Sequence, residues 1–106
     1  MDDSIFEFQA GFCRAMGNAV RLKILHTLRE RSKSVTEIMQ ETGYSQANVS
    51  RHLSVLRSVG VVGSERHGTA VLYSLTDPKV GEVCDLVRNV LVDHMKQRSK
   101  IFAKTK

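Results

Sequence analysis

The stretch from Ser45 to Gly60, SQANVSRHLSVLRSVG, leaves the chain the fewest choices. Ser45 is placed to act as an N-cap, its hydroxyl accepting from first-turn N–H groups. Gly60 stands where a helix ends in a left-handed residue. Between them Val49, Leu53 and Leu56 recur at i, i+4 and i+7, which makes one buried stripe. At about 100° per residue the opposite face carries Ala47, Ser50, Arg51, Ser54 and Ser58, with Gln46 and Arg57 on a flank. That face holds no carboxylate, whereas a solvated helix face normally mixes acids with bases. Short side chains let a helix sit deep in a groove, and Gln, Ser and Arg donate to base edges. The composition of this face is that of a DNA recognition helix.

The residues just before it fit that assignment. Val35, Ile38 and Met39 predict a short amphipathic helix ending near Thr42–Gly43, and Gly43-Tyr44 forms a tight turn into the next helix. Two helices joined in this way make a helix-turn-helix. Three runs extend the pattern: MGNAVRLKIL before it, SVTEIMQETGYSQANVSRHLSVLRSVGVV across it and RHGTAVLYSL after it. Through these runs the chain from Gly17 to Leu75 resembles the ArsR/SmtB family of bacterial winged-helix repressors. The family usually has Asp-Pro-Thr after the glycine, where this chain has Asn18-Ala19-Val20. The alanine costs only a little pre-organisation at the first helical turn.

The 106 residues amount to one small domain, which buries a limited core alone and gains from a dimer. With 16 Lys+Arg against 11 Asp+Glu the net charge is +5, the sign expected of a nucleic-acid binder. Two cysteines are too few for a disulfide scaffold and suit a reducing compartment. No apolar run is long enough for a membrane span. The acidic start, MDDSIFEF, is not a signal peptide, so a cytoplasmic location is expected.

Residues 3–16 predict a first helix, with Ile5, Phe8, Phe12 and Met16 at helical spacing. Three of the four phenylalanines (Phe6, Phe8 and Phe12) crowd here. Such an apolar surface belongs either to the chain's own core or to a partner subunit. The resemblance implies the partner. Asn18 is the expected cap of a second helix, in which Val20, Leu22, Ile24, Leu25 and Leu28 form the floor of the core. Arg21, Lys23, Arg29, Arg31 and Lys33 read mostly as a solvated basic face, and His26 as a packed or surface histidine. After the recognition helix, Val61-Val62 starts a strand that turns at His67-Gly68 and returns through Val71, Tyr73 and Leu75. The hairpin is the wing. At its tip Arg66 and His67 either contact DNA or merely decorate an exposed turn. Asp77-Pro78 opens the last helix, whose apolar stripe runs through Val80, Val83, Cys84, Val87, Val90, Leu91 and Met95.

The expected fold is therefore mainly α with a small β-hairpin. Four helices, two strands and a fifth helix form a winged helix-turn-helix that dimerises through its first and last helices. Residues 1–98 make the DNA-binding and dimerisation domain, and 99–106 a basic flexible tail. The expected function is sequence-specific DNA binding by a dimeric transcriptional regulator, a repressor on the resemblance, acting at a palindromic operator. Gln46, Ala47, Ser50, Arg51, Ser54, Arg66 and His67 are the candidate contacts. The alternative is a winged helix used for protein docking.

An effector is not named by the sequence. The family's thiolate metal site falls on Ser34 and Thr36 here, and its carboxylate–imidazole site on Asp77, Lys79, Val90 and Asp93, with His94 nearby. Neither set provides four ligands, so no zinc site is expected, nor any cofactor. Cys13 and Cys84 remain, on the two helices expected to pack together. They are either a thiol sensor, acting by disulfide, persulfide or a soft ion, or core filling. An enzyme is excluded: Cys84 and His94 are about 15 Å apart along one helix, too far for a nucleophile–base pair.

Overall fold

The computed structural model describes residues 2–104 in their backbone and the side chains of residues 2–98. The elements run α1 (Ser4–Met16), α2 (Ala19–Thr27), α3 (Val35–Thr42), α4 (Gln46–Ser58), β1 (Val62–His67), β2 (Ala70–Leu75) and α5 (Pro78–Lys104). Helix α5 thus continues through most of the segment expected to be a tail. Residues 105–106 and the side chains from 99 onward lie outside the described residues.

The helix ends are set by the residues that mark them in the sequence. Asn18 accepts from the Arg21 N–H at 3.1 Å and starts α2. Ser34 and Glu37 form a reciprocal capping box that starts α3. Gly43, with φ 78°, ends α3 in the left-handed region and turns the chain into α4. At the end of α4 the Gly60 N–H donates to Arg57 and the Val61 N–H to Leu56. That is a Schellman closure, and it needs the positive φ that Gly60 adopts at 81°. Asp77 accepts from the Lys79 N–H at 2.9 Å where α5 begins.

One cluster forms the core: Ile24, Leu25 and Leu28 from α2, Ile38 from α3, Val49, Leu53 and Leu56 from α4, with Val61 and Val62 leading into β1. The α4 stripe read from the sequence is therefore its centre. Strands β1 and β2 pair antiparallel from Val62 opposite Leu75 to His67 opposite Ala70. Gly68, with φ 64°, makes the turn. Lys33 joins the other edge of β2, its N–H donating to Tyr73 at 2.9 Å and its carbonyl accepting from Tyr73 at 2.8 Å. This clasp ties the wing to the start of the helix-turn-helix.

Three readings of single residues need correction. Leu22 is exposed rather than part of the core floor, because it borders the open groove between α1 and α5. Lys33 is fully buried rather than solvated, its ammonium paired with Glu41 at 2.7 Å. Arg29 is committed to Asp85 on α5 at 2.8 Å, which holds that carboxyl below the usual carboxylate range. Arg29 lies across Gly81, where a Cβ would overlap its side chain in this position.

Candidate nucleic-acid interface

Burying Val49, Leu53 and Leu56 turns the other side of α4 outward, and Gln46, Ala47, Ser50, Arg51 and Ser54 are all exposed on it. Ser45 accepts from the Asn48 N–H at 3.2 Å and so fixes the first turn. Asn48, which the sequence reading passed over, accepts from Arg51 at 3.1 Å and orients its guanidinium along the face. The residues on the flank, Arg57 and Ser58, are exposed as well. Small polar side chains and one steered guanidinium on a convex helix match the dimensions and donor pattern of a major groove.

The turn before α4 is built to hold its angle. The Thr42 hydroxyl donates to the Ile38 carbonyl at 2.7 Å and accepts from the Tyr44 N–H at 3.2 Å. The Lys23 ammonium stands over the Tyr44 ring, 5.4 Å from its centroid. These contacts link α2, the end of α3 and the entry to α4. The wing carries Arg66 and His67 at its exposed tip, His67 lying 3.6 Å from Glu65. The structure thus places the predicted helix residues on one face and the predicted wing residues on the hairpin tip.

His52 was also missed by the sequence reading. It lies among apolar positions of α4, is buried, and its Nδ1 is 3.4 Å from a guanidinium nitrogen of Arg21. Burial, then the positive charges of Arg51 and Arg21, push its pKa down, so the ring is held neutral.

A second surface, on α1 and α5, is apolar and open. Ile5, Phe6 and Phe8 of α1 are exposed, as are Val83, Leu86, Val87, Val90, Leu91 and Met95 of α5. Between the two helices runs a groove of about 360 Å³, bordered by Phe12, Cys13 and Met16 on one side and Val83, Cys84 and Leu91 on the other. The two cysteines expected on packed helices do share this groove. Cys13 is exposed and Cys84 half-buried, and burial pushes the Cys84 thiol up. Among the described residues no three His, Cys, Asp or Glu side chains gather as metal ligands. At the positions where the resemblance implies carboxylate and imidazole ligands, Lys79 and Val90 do not fit a metal. No described helix is long and apolar enough to cross a membrane.

Comparison with known proteins agrees with this geometry. The sequence model of the arsR family of bacterial regulatory proteins matches residues 18–64. The chain is 33% identical over 101 residues to Rv0081, an HTH-type transcriptional regulator of Mycobacterium tuberculosis, covering 94% of this chain and 89% of the relative. The crystal structure of M. tuberculosis Rv0081 superposes with a TM-score of 0.81 at 32% identity, covering 92% of this chain and 99% of that one. The homodimeric winged helix-turn-helix DNA-binding domain of Mb0332 from Mycobacterium bovis gives 0.82 at 28% identity, with 92% of each chain covered. A probable mercury resistance operon repressor of Streptomyces lividans is 35% identical over 85 residues, 80% of this chain and 68% of its own length.

Proposed function

The chain belongs to the arsR family of bacterial regulatory proteins, winged-helix regulators of transcription, and from that premise we propose that it represses as a symmetric homodimer on a palindromic operator. The observation that carries the reading is the exposed, carboxylate-free face of α4, in a chain whose wing tip presents Arg66 and His67. In this arrangement Gln46, Ala47, Ser50, Arg51 and Ser54 read base edges in the major groove, and Arg66 and His67 hold the backbone or the adjacent minor groove. The apolar faces of α1 and α5 meet their copies, which removes Phe6, Phe8, Val87, Leu91 and Met95 from water. Two α4 helices then enter successive major grooves about 34 Å apart. A net charge of +5 favours the approach to DNA. Its site of action is the cytoplasm, where the operator lies and thiols stay reduced.

The test is selection of duplexes from a random-sequence library by the full chain, followed by affinity measurement at several salt concentrations. Recovery of an inverted repeat whose binding weakens steeply with salt is expected. Failure to enrich any sequence, or affinity indifferent to salt, favours the protein-docking alternative.

A second reading concerns control. Cys13 and Cys84 border one groove in the dimer layer, so oxidation there reaches the layer that spaces the two α4 helices. A hydroperoxide would accept two electrons as the S–S bond forms, and the two thiol protons would leave in the water and alcohol produced. Repression would then respond to oxidant through these two residues.

A further inference from the structure

We propose that Arg21 and His52 are positioning residues that fix the recognition helix α4 against the dimer layer, and that they do so only while His52 is uncharged. The inference rests on the DNA-binding reading above and adds a residue-level account of how α4 is held.

Asn18 fixes the start of α2. Its cap on α2 sets Arg21 in the first turn of that helix, facing the end of α1. The last carbonyls of any α-helix lack partners inside the helix. One of them, the Ala15 carbonyl of α1, accepts from the half-buried Arg21 Nε at 2.6 Å. The same guanidinium reaches His52 Nδ1 on α4 at 3.4 Å. Arginine has five donors, no acceptor, and does not lose its proton. His52 must therefore accept at Nδ1, which places its proton on Nε2. One planar group thus spans α1, α2 and α4.

The position of these residues gives the link its meaning. Beyond Ala15, Met16 and Gly17 border the groove between α1 and α5, within the proposed dimer layer. Next to His52 in sequence, Arg51 points outward from the DNA-facing side. A shift of the α1 end is transmitted through Ala15 and Arg21 to the helix that reads DNA.

The link is also sensitive to protons. The charged groups facing the His52 ring are Arg21 from α2 and Arg51 from its own helix, with no carboxylate among them. An imidazolium there would donate rather than accept and would stand against two guanidiniums. The contact therefore breaks on protonation. Because the folded state disfavours the charged ring, its contribution is complete above the usual histidine range. It is lost as pH falls through the depressed folded value.

The experiment uses the duplex selected as above, and versions with its half-sites moved by one base pair. Wild type, His52→Asn and Arg21→Met are compared at about pH 7.5 and about pH 5.5. Asparagine keeps an acceptor at the δ position and does not titrate. Methionine keeps the stem of Arg21 without its donors. Wild type should lose more affinity on acidification than His52→Asn, whose side chain does not titrate. Arg21→Met should bind the shifted duplexes nearly as well as the selected one. Equal pH profiles for wild type and His52→Asn, or full spacing selectivity in Arg21→Met, would overturn the proposal. Nuclear magnetic resonance titration of His52 without DNA decides the contact independently. In Arg21→Met the ring should titrate at higher pH than in wild type, and an unchanged titration refutes the link. Selection that recovers no duplex would count against the DNA-binding reading, while this titration still decides the contact.

Discussion

Replacing the two members of the Lys33–Glu41 pair should give unequal losses from one ion pair. The Lys33 side chain is 1% exposed, with its ammonium 2.7 Å from Glu41 and 3.5 Å from Glu30, whose side chains are 40% and 75% exposed. Glu41→Gln leaves the buried ammonium with a neutral acceptor and a distant, solvated carboxylate. A hydrogen bond to a charged group is worth about 1.5–3 kcal/mol, and most of that should be lost. Glu30 returns little, as exposed pairs contribute about 0–1 kcal/mol. Lys33→Met keeps an apolar stem of similar length in the same space. The Glu41 carboxylate it leaves behind is already partly in water, so no charge is stranded. Exchanging a buried ion for a packed apolar group is often neutral or better, so Lys33→Met should stay within about 1 kcal/mol of wild type. The double variant should match Lys33→Met, because the penalty of Glu41→Gln requires the ammonium. Urea unfolding followed by circular dichroism reads the difference at one fixed protein concentration, as a dimer's stability varies with concentration. For a domain of this size each kcal/mol moves the Tm by about 4–8 °C. If Lys33→Met proves more damaging than Glu41→Gln, the reasoning from solvent access of the two charges is wrong.

Two further predictions concern the proposed dimer layer. Leu91→Glu places a charge in the exposed α5 stripe, and it should shift sedimentation toward monomer and abolish tight operator binding while leaving the monomer folded. A dimer of unchanged stability would remove α5 from the interface. For the thiols, hydroperoxide should change the DNA affinity of wild type but not of Cys13→Ser or Cys84→Ser, read by titration on the selected duplex. If wild type keeps its affinity when both thiols are shown by mass spectrometry to be oxidised, the two cysteines only fill space.

Much of the fold is legible because its punctuation is local. Ser45, Gly60, Gly43, Asn18 and Asp77-Pro78 each satisfy or end a helix through neighbours a few residues away. The outward face of α4 follows from the same periodicity that buries Val49, Leu53 and Leu56. Lys33 could not be read in that way. Its burial depends on a backbone clasp with Tyr73, forty positions on, which no local pattern encodes. Leu22 fits the apolar period of α2, but periodicity does not say whether an apolar position meets its own core or remains open. Arg21 reads as part of a solvated basic face, and nothing in the local pattern singles out His52. Only the packing of α2 against both α1 and α4 brings them together. Gly81 carries no local signal of its use, since the space left by its missing side chain is filled by Arg29, distant in sequence.

The central claim is that α4 reads sequence while the wing holds the backbone. Fluorescence anisotropy of wild type, Arg51→Ala and Arg66→Ala on the selected duplex and on a scrambled one tests it most directly. Arg51→Ala should lose about 1–3 kcal/mol on the selected duplex and little on the scrambled one. Arg66→Ala should weaken both alike and lower the salt slope by about one. Equal losses on the two duplexes for Arg51→Ala would contradict the account and move the reading face elsewhere.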